Sequence, residues 1–309
     1  MRTFCCVSAG AVALFAGASA HAQLVFGTTT PTTSNPAAVY LDIASGNTAT
    51  LWNSASNKKV NGLAADTVNK KLYSNDAARL NVWNYGSLGT APTFIAGMYR
   101  TNDNITFTAT GVDGLAFTGG KLYASTSFGS TVYKKGIYQV NTTPDAGSHC
   151  VMTPVWLDPT GVGTNSGTIQ FGGIDFNQAD GKFWVTNGTD TTGSGGTYQR
   201  AIYTVDALNT GAMVKVADFP AGHNQIDGLA IGGGYAWLTE QAPGSSTVNI
   251  FGFNLTTLTY DKSFTFALAD ASQRASGACW APGAYSVPAP ACAFLFAAAG
   301  GLSLVRRRK

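Results

Sequence analysis

The chain has 309 residues and a formal net charge of +3 at pH 7, and only 11% of its residues are charged. About 25% is usual for a soluble protein, yet 45% of this chain is hydrophobic, which excludes a disordered polymer. Five of the 19 Lys and Arg residues lie in the terminal segments described below, so the remaining 14 face 16 acidic residues and give no indication of nucleic-acid binding.

The N-terminal 22 residues have the pattern of a secretory signal peptide. Arg2 precedes an apolar run at residues 11–16, and Ala20-His21-Ala22 forms an A-x-A cleavage site before Gln23. A transmembrane helix is the alternative, but the apolar run is short for one. We therefore expect export, with a mature chain that begins near residue 23.

A short phrase, N/D-G-L-A, recurs along the rest of the chain. It occurs at residues 61–64, 113–116 and 227–230, with degenerate copies at 172–175 and 276–279. The central glycines are therefore separated by 52, 59, 55 and 49 residues. A repeat of this size is typical of a propeller.

Each copy of the phrase is followed by further strand-like segments. A second run rich in aromatic and β-branched residues follows at 71–73, 121–123, 182–185 and 235–238, and a third run comes after it. Fourth apolar runs are 93–99, 151–156, 213–216 and 263–266. Period-2 alternation bounded by Gly, Asn and Asp predicts strands, and four strands per unit predict a propeller blade. Small residues in the first strand suit a crowded central channel.

The two ends of the repeat region complete one blade together. Residues 276–280 supply a first strand, and the runs at 24–27, 38–43 and 48–52 supply the other three. We therefore predict an all-β fold, a five-bladed β-propeller over residues 23–286, closed by N- and C-terminal strands. The alternative is six or seven blades, with residues 104–108 or 168–171 as extra strands.

The recurring Gly-Leu-Ala, Lys-Leu-Tyr and Ile-Tyr segments, as at residues 114–116, 121–123 and 137–138, resemble NHL- and YVTN-type propeller repeats. The resemblance spans most of the mature chain. It implies a β-propeller fold and, by itself, no particular ligand or reaction.

Four polar residues are candidates for a binding site at the mouth of the channel. Asn61, Asp113 and Asp227 open first strands, and Glu240, the only Glu in the chain, follows a second strand towards the same face. Together their oxygens could hold calcium, an arrangement similar in residue type to gluconolactonase propellers. Alternatively the first three residues form Asx turns, and Glu240 is a solvated loop residue. No zinc, dinucleotide, P-loop or nucleophile-elbow motif is present, and no cofactor is identified.

The cysteines and tryptophans of the mature chain favour structural roles. Cys150 and Cys279 fall in a fourth and a first strand, which a propeller holds apart, so we expect two buried thiols rather than a disulfide. Trp52, Trp83 and Trp156 could stack on sugar rings, but we expect them to fill the gaps between blades.

The C-terminal segment, residues 287–309, has the pattern of a membrane anchor. Pro288 and Pro290 precede fifteen uncharged residues, 291–305, and then Arg306, Arg307, Arg308 and a final lysine. This pattern predicts a short transmembrane helix with a cytoplasmic basic end. A buried core helix with a basic tail is the alternative.

This ending resembles the PEP-CTERM sorting signal that exosortases process in Gram-negative bacteria, and it departs from the usual pattern at Ala289, where Glu is typical. The resemblance implies transient anchoring in the inner membrane, cleavage near Pro288 and Pro290, and delivery to the outer cell surface or the extracellular matrix.

Two functions are compatible with these features. We expect an exported, non-enzymatic binding or structural module, with an exosortase-type enzyme as one partner and exopolysaccharide or surface proteins as others. The alternative is a secreted metal-dependent hydrolase of lactonase type. A bound metal would favour the hydrolase.

Overall fold

The structure is a computed structural model, and it describes residues 23–28, 36–44, 46, 48–53, 60–76, 79–85, 93–96, 98–101, 106–107, 112–126, 135–159, 169–188, 198–206, 211–241, 245–268 and 275–282. The elements formed by these residues are all β-strands. Within these ranges no helix has the length and hydropathy needed to cross a membrane. The predicted signal peptide and sorting segment lie outside the described residues.

The described residues form twenty-two strands. In chain order they are β1 (Gln23–Thr28), β2 (Pro36–Asp42), β3 (Thr48–Asn53), β4 (Gly62–Asp66), β5 (Lys71–Asn75), β6 (Leu80–Asn84), β7 (Thr93–Ala96), β8 (Met98–Thr101), β9 (Thr106–Phe107), β10 (Leu115–Thr118), β11 (Lys121–Thr126), β12 (Gly136–Val140), β13 (His149–Leu157), β14 (Phe171–Asn177), β15 (Lys182–Asn187), β16 (Ala201–Val205), β17 (Val214–Asp218), β18 (Ile226–Gly232), β19 (Tyr235–Gln241), β20 (Thr247–Asn254), β21 (Thr259–Ala267) and β22 (Ala275–Trp280).

These strands form five sheets, which are the blades of a propeller. Blade 1 has the order β22-β1-β2-β3, blade 2 is β4 to β7, blade 4 is β14 to β17 and blade 5 is β18 to β21. Blade 3 has six strands in the order β10-β11-β12-β13-β8-β9. The inner strands β4, β10, β14, β18 and β22 contact one another in a ring that returns from β22 to β4. The all-β, five-bladed propeller predicted from the repeats is confirmed.

Blade 1 closes the ring with strands from both ends of the repeat region. β22 pairs antiparallel with β1, and the register places Leu24 opposite Trp280 and Val25 opposite Cys279. This is the predicted pairing. Closure of this kind leaves no blade interface exposed at the start or the end of the repeats.

The glycines of the repeated phrase allow the inner strands to approach closely. A Cβ added at Gly173 would lie 2.4 Å from the backbone nitrogen of Leu229 in the next blade. A Cβ at Gly277 would lie 2.5 Å from the Cα of Gly62 and 2.6 Å from the backbone oxygen of Asn61. The repeated glycine is therefore a requirement of packing around the axis.

Aromatic side chains of the second strands fill the space between neighbouring blades. Tyr73 of β5 stacks on Phe117 of β10, with ring centroids 5.6 Å apart. Trp237 of β19 stacks on Trp280 of β22 at 6.2 Å, with parallel rings. Stacked aromatic pairs of this kind therefore lie at the junction of blades 2 and 3 and at the junction of blades 5 and 1.

The extra strands of blade 3 correct two sequence-based expectations. The apolar run 93–99 was predicted to be one fourth strand, but it is divided between β7 of blade 2 and β8, which pairs parallel with β13. Of residues 104–108 the structure describes 106–107, which form β9 and pair with β8 at the edge of blade 3; of residues 168–171 it describes 169–171, and Phe171 is the first residue of β14. The alternative of six or seven blades is therefore wrong. The added strands cover the hydrogen-bonding edge of β13 along His149–Met152.

Candidate functional site

Three of the predicted site residues lie where the inner strands begin. Asn61 precedes β4, Asp113 precedes β10, and Asp227 is the second residue of β18. The backbone oxygen of Asn61 accepts hydrogen bonds from the nitrogen of Gly277 at 2.9 Å and the Oγ of Ser276 at 2.8 Å. These residues therefore lie at the starts of three inner strands. Their roles as ligands or as turn formers stay predictions.

Glu240 lies opposite Ile226, the residue before Asp227, in the pairing of β18 with β19, and the expectation of a solvated loop residue is wrong. It is the sixth residue of β19 and only 4% exposed. Its Oε1 accepts hydrogen bonds from the backbone nitrogens of Asn224 and Gln225, at 3.0 and 3.2 Å. Its Oε2 contacts Nδ1 of His223 and accepts from Nδ2 of Asn249 at 3.2 Å. The buried carboxylate is thus held by the loop that enters blade 5 and by Asn249 of β20.

Asn187 makes similar hydrogen bonds to the backbone of neighbouring loops in blade 4, which indicates a structural role for this position. It occupies the corresponding end of β15 in blade 4. Its Oδ1 accepts from the backbone nitrogen of Gln170 at 2.9 Å, and its Nδ2 donates to the backbone oxygen of Gln199 at 2.8 Å. In both blades a side chain at the end of the second strand anchors neighbouring loops. Glu240 is therefore an anchoring residue, and a lone Glu in the sequence gives no signal of this.

Lys135 is a buried cation that the sequence analysis missed. It is 6% exposed, and its Nζ donates to the backbone oxygen of Ile169 at 3.0 Å. Burial lowers the pKa of Lys135, while the nearby carboxylates of Asp158 and Asp113 act in the opposite direction. The charge of Asp113 is therefore balanced in part by a cation of the chain itself. Nothing in the Lys134-Lys135 pair distinguishes this lysine from an exposed one.

The convergence required by the calcium hypothesis is not found in the described part of the chain. There, no three His, Cys, Asp or Glu side chains lie close enough together to hold a metal ion. Asp113, Asp227 and Glu240 consequently do not form such a group.

The two degenerate copies of the repeat place polar side chains in the inner strands. Asp175 of β14 accepts hydrogen bonds from the backbone nitrogens of Ile231, in the next blade, at 2.7 Å and of Phe176 at 2.8 Å. Burial raises the pKa of Asp175 to about 7, against these two hydrogen bonds. Burial, and the nearby carboxyl of Asp175, raise the pKa of the Cys279 thiol well above its usual value. In the sequence, these two residues are indicated by the departure of their copies of the repeat from N/D-G-L-A.

A groove of about 520 Å³ lies between blades 2 and 3, at the end of the blades where the short turns lie. We call it the blade 2–3 groove. It is lined mainly by polar side chains above the stacked pair of Tyr73 and Phe117, among them Asp66, Lys71, Lys121, Gln139, Thr142 and Thr153. The predicted binding residues Asn61, Asp113 and Asp227 lie at the opposite end of the blades, where the inner strands begin.

The carboxylate in the groove is already occupied. Asp66 is 2% exposed. Its Oδ1 accepts from the backbone nitrogens of Val68 at 3.1 Å and Asn69 at 2.9 Å, and its Oδ2 accepts from Nδ2 of Asn69 at 2.7 Å. Burial raises the pKa of Tyr73, with a smaller contribution from Asp66, so its hydroxyl stays protonated near neutral pH. The groove therefore offers ammonium, amide and hydroxyl groups rather than an available base.

The expected structural roles of cysteine and tryptophan are largely confirmed. Cys150 and Cys279 are buried free thiols. Trp83 is 3% exposed and Trp156 is 1% exposed, so both belong to the core. The side chain of Trp52 lies outside the described residues.

No family model and no curated protein sequence matches the chain. Among solved structures, one chain of a nidogen/laminin complex superposes with a TM-score of 0.50 at 14% identity, over 84% of this chain and 98% of that one. TolB from Acinetobacter baumannii gives a TM-score of 0.47 at 13% identity, over 84% of this chain and 67% of TolB. A quinoprotein alcohol dehydrogenase-like protein from Bacteroides thetaiotaomicron gives 0.37 at 14% identity, over 83% of this chain and 57% of that one. Identities this low concern the fold alone, and the likeness in fold rests on the first of these matches, with its TM-score of 0.50.

Proposed function

We propose that the chain is an exported, non-enzymatic β-propeller that binds another macromolecule at the outer cell surface or in the extracellular matrix. The observation that carries the proposal is the chemistry of the blade 2–3 groove. Its carboxylate, Asp66, is held by three hydrogen bonds, and Tyr73 stays protonated. A groove that offers hydrogen-bond donors and cations without an available acid–base pair suits binding better than catalysis.

Export rests on the two ends of the sequence. The signal-peptide pattern at residues 1–22 directs the chain out of the cytoplasm. The PEP-CTERM-like segment at 287–309 then anchors it in the inner membrane until an exosortase-type enzyme processes the chain near Pro288 and Pro290. In this arrangement the basic cluster stays in the cytoplasm and the propeller lies outside.

Cell fractionation tests the export route with the full-length chain in a Gram-negative host that has an exosortase. Replacement of Arg306, Arg307 and Arg308 by Ser should remove the stop signal and shift the protein away from the surface and matrix fractions. Arg79→Ser, an exposed change in the propeller, should fractionate like the parent. Identical distribution of the triple variant and the parent would contradict the anchor.

A lactone-hydrolysis assay with added calcium tests the absence of catalysis. The proposal predicts no turnover above the uncatalysed rate. Turnover that requires calcium, and that is lost when Asp113→Asn and Asp227→Asn are combined, would replace the binding function with the hydrolase.

A further inference from the structure

Building on the proposed binding function, we infer that the blade 2–3 groove binds an acidic polysaccharide, one whose sugar rings carry carboxylate groups. The first argument is charge. Lys71 and Lys121 both line the groove, and within the described residues no ion pair engages either ammonium group. Asp66, the carboxylate beside them, is oriented into its own turn by Val68 and Asn69. The charged groups that remain available to a ligand are therefore the two ammonium groups, which are positive.

The second argument is the placement of these two lysines within the repeat. Lys71, Lys121 and Lys182 are the first residues of the second strands β5, β11 and β15. The junction of blades 2 and 3 brings the first two to one groove, whereas Lys182 is not among the residues that line it. The groove thus combines two repeated cations, and blade 4 supplies a matched lysine outside it.

The third argument is the shape and the remaining chemistry of the groove. A volume of about 520 Å³ exceeds the needs of a single inorganic anion and suits a segment of a chain. Gln139 and Thr142 provide amide and hydroxyl groups, which both donate and accept, as sugar hydroxyls do. The stacked rings of Tyr73 and Phe117 provide an apolar floor. A carboxylated sugar chain matches all three features.

Affinity electrophoresis of the folded full-length chain tests the inference, in gels that contain polygalacturonate, neutral dextran or polyglutamate. We expect retardation by polygalacturonate only, and weaker retardation as salt is raised, because about 0.1 M salt screens exposed charges beyond ~10 Å. The double variant Lys71→Gln and Lys121→Gln should raise the apparent Kd roughly tenfold, as the loss of two exposed ion pairs implies. Lys182→Gln should change it less than about twofold.

Other outcomes would overturn the inference. Equal weakening by Lys182→Gln and by the double variant would mean binding through general charge. Equal retardation by dextran would indicate a neutral sugar chain, and equal retardation by polyglutamate would indicate an acidic peptide. Binding to none of the three polymers would also overturn the acidic polysaccharide as the ligand, but it would leave the proposed binding function standing. The binding function itself would be overturned by lactone turnover in the assay described above. Gln139→Ala gives a second variant in the groove, expected to weaken binding to polygalacturonate without changing its salt dependence; full retention of binding would contradict the groove.

Discussion

At the scale of single residues, the departures from the repeat carry the most information. The second position after the repeated glycine is Ala64, Ala116 and Ala230 in three blades, but Asp175 and Cys279 in the other two. Asp175 joins the inner strands of two blades through the backbone nitrogen of Ile231. An ionisable group has thus been placed in the most crowded layer of the fold, where desolvation opposes its charge.

Asp175 should make stability depend on pH. Its pKa rises from 3.8 to about 7 on folding, so between these values the folded state binds a proton that the unfolded state does not. The free energy of unfolding should therefore fall as pH rises through this window. Asp175→Ala should abolish this contribution, which we expect to be roughly 3–4 kcal/mol, because a rise of about three pKa units is worth about 1.4 kcal/mol per unit. Urea unfolding at pH 4.5, 6.0 and 7.5 measures it.

The isosteric change Asp175→Asn provides the control for shape, since it cannot titrate. Both variants should show the same shallower pH dependence, whatever their absolute stabilities. If the difference between parent and variants is constant across the three pH values, Asp175 does not titrate in this range.

Gly277 tests whether close approach explains the repeated glycine. Gly277→Ala places a methyl group within 2.6 Å of backbone atoms of blade 2, which cannot turn aside as a side chain can. We expect a loss of roughly 1–3 kcal/mol, typical of overpacking. Gly188→Ala is the matched control, because its nearest atom would be 3.8 Å away. Thermal melting of both variants decides the matter, and equal melting temperatures would refute the packing argument.

At the scale of elements, alternation and turn residues predicted most strands but could not divide run 93–99. Period-2 alternation describes the side chains along a strand and does not identify its neighbour. β8 belongs to blade 3 because it pairs with His149–Met152, about fifty residues further along the chain. Glu240 was misplaced for a related reason. Its carboxylate is held by backbone nitrogens of the loop before β18, and no pattern in the sequence predicts the path of that loop.

The Gly119-Gly120 turn should tolerate only residues that accept a left-handed backbone. The two glycines join β10 and β11 with φ angles of +56° and +75°. Two-residue hairpins of this type favour Asn-Gly. Gly119→Asn should therefore change stability by less than about 0.5 kcal/mol, whereas Gly119→Val should cost roughly 1–2 kcal/mol, because a β-branched residue is strained at positive φ. Chemical denaturation of the two variants measures their free energies of unfolding. Equal losses in the two variants would contradict this explanation.

At the scale of the whole molecule, the sequence predicted the closed ring but not the groove. Five glycines and the unmatched strands at each end were enough to infer five blades and the pairing of β22 with β1. The groove depends on Lys71 and Lys121 meeting across a blade junction, and on Asp66 being held in its own turn. The spacing of residues along the chain does not show which side chains of neighbouring blades lie side by side, so the sequence did not predict that Lys71 and Lys121 share one groove.

The closing strand provides the last prediction. Deletion of residues 276–283 removes nearly all of β22. It exposes one edge of β1 and the sides of β18 and β4 that contact β22. Because β22 contacts both blade 5 and blade 2 through inner strands, its loss should lower the melting temperature of the entire propeller rather than of blade 1 alone. Addition of a synthetic peptide of residues 275–282 should restore part of the loss by mass action. A peptide with Ala278 replaced by Glu should fail, since that position is 3% exposed. Melting of the truncated chain at the temperature of the parent would show that the ring does not need its closing strand.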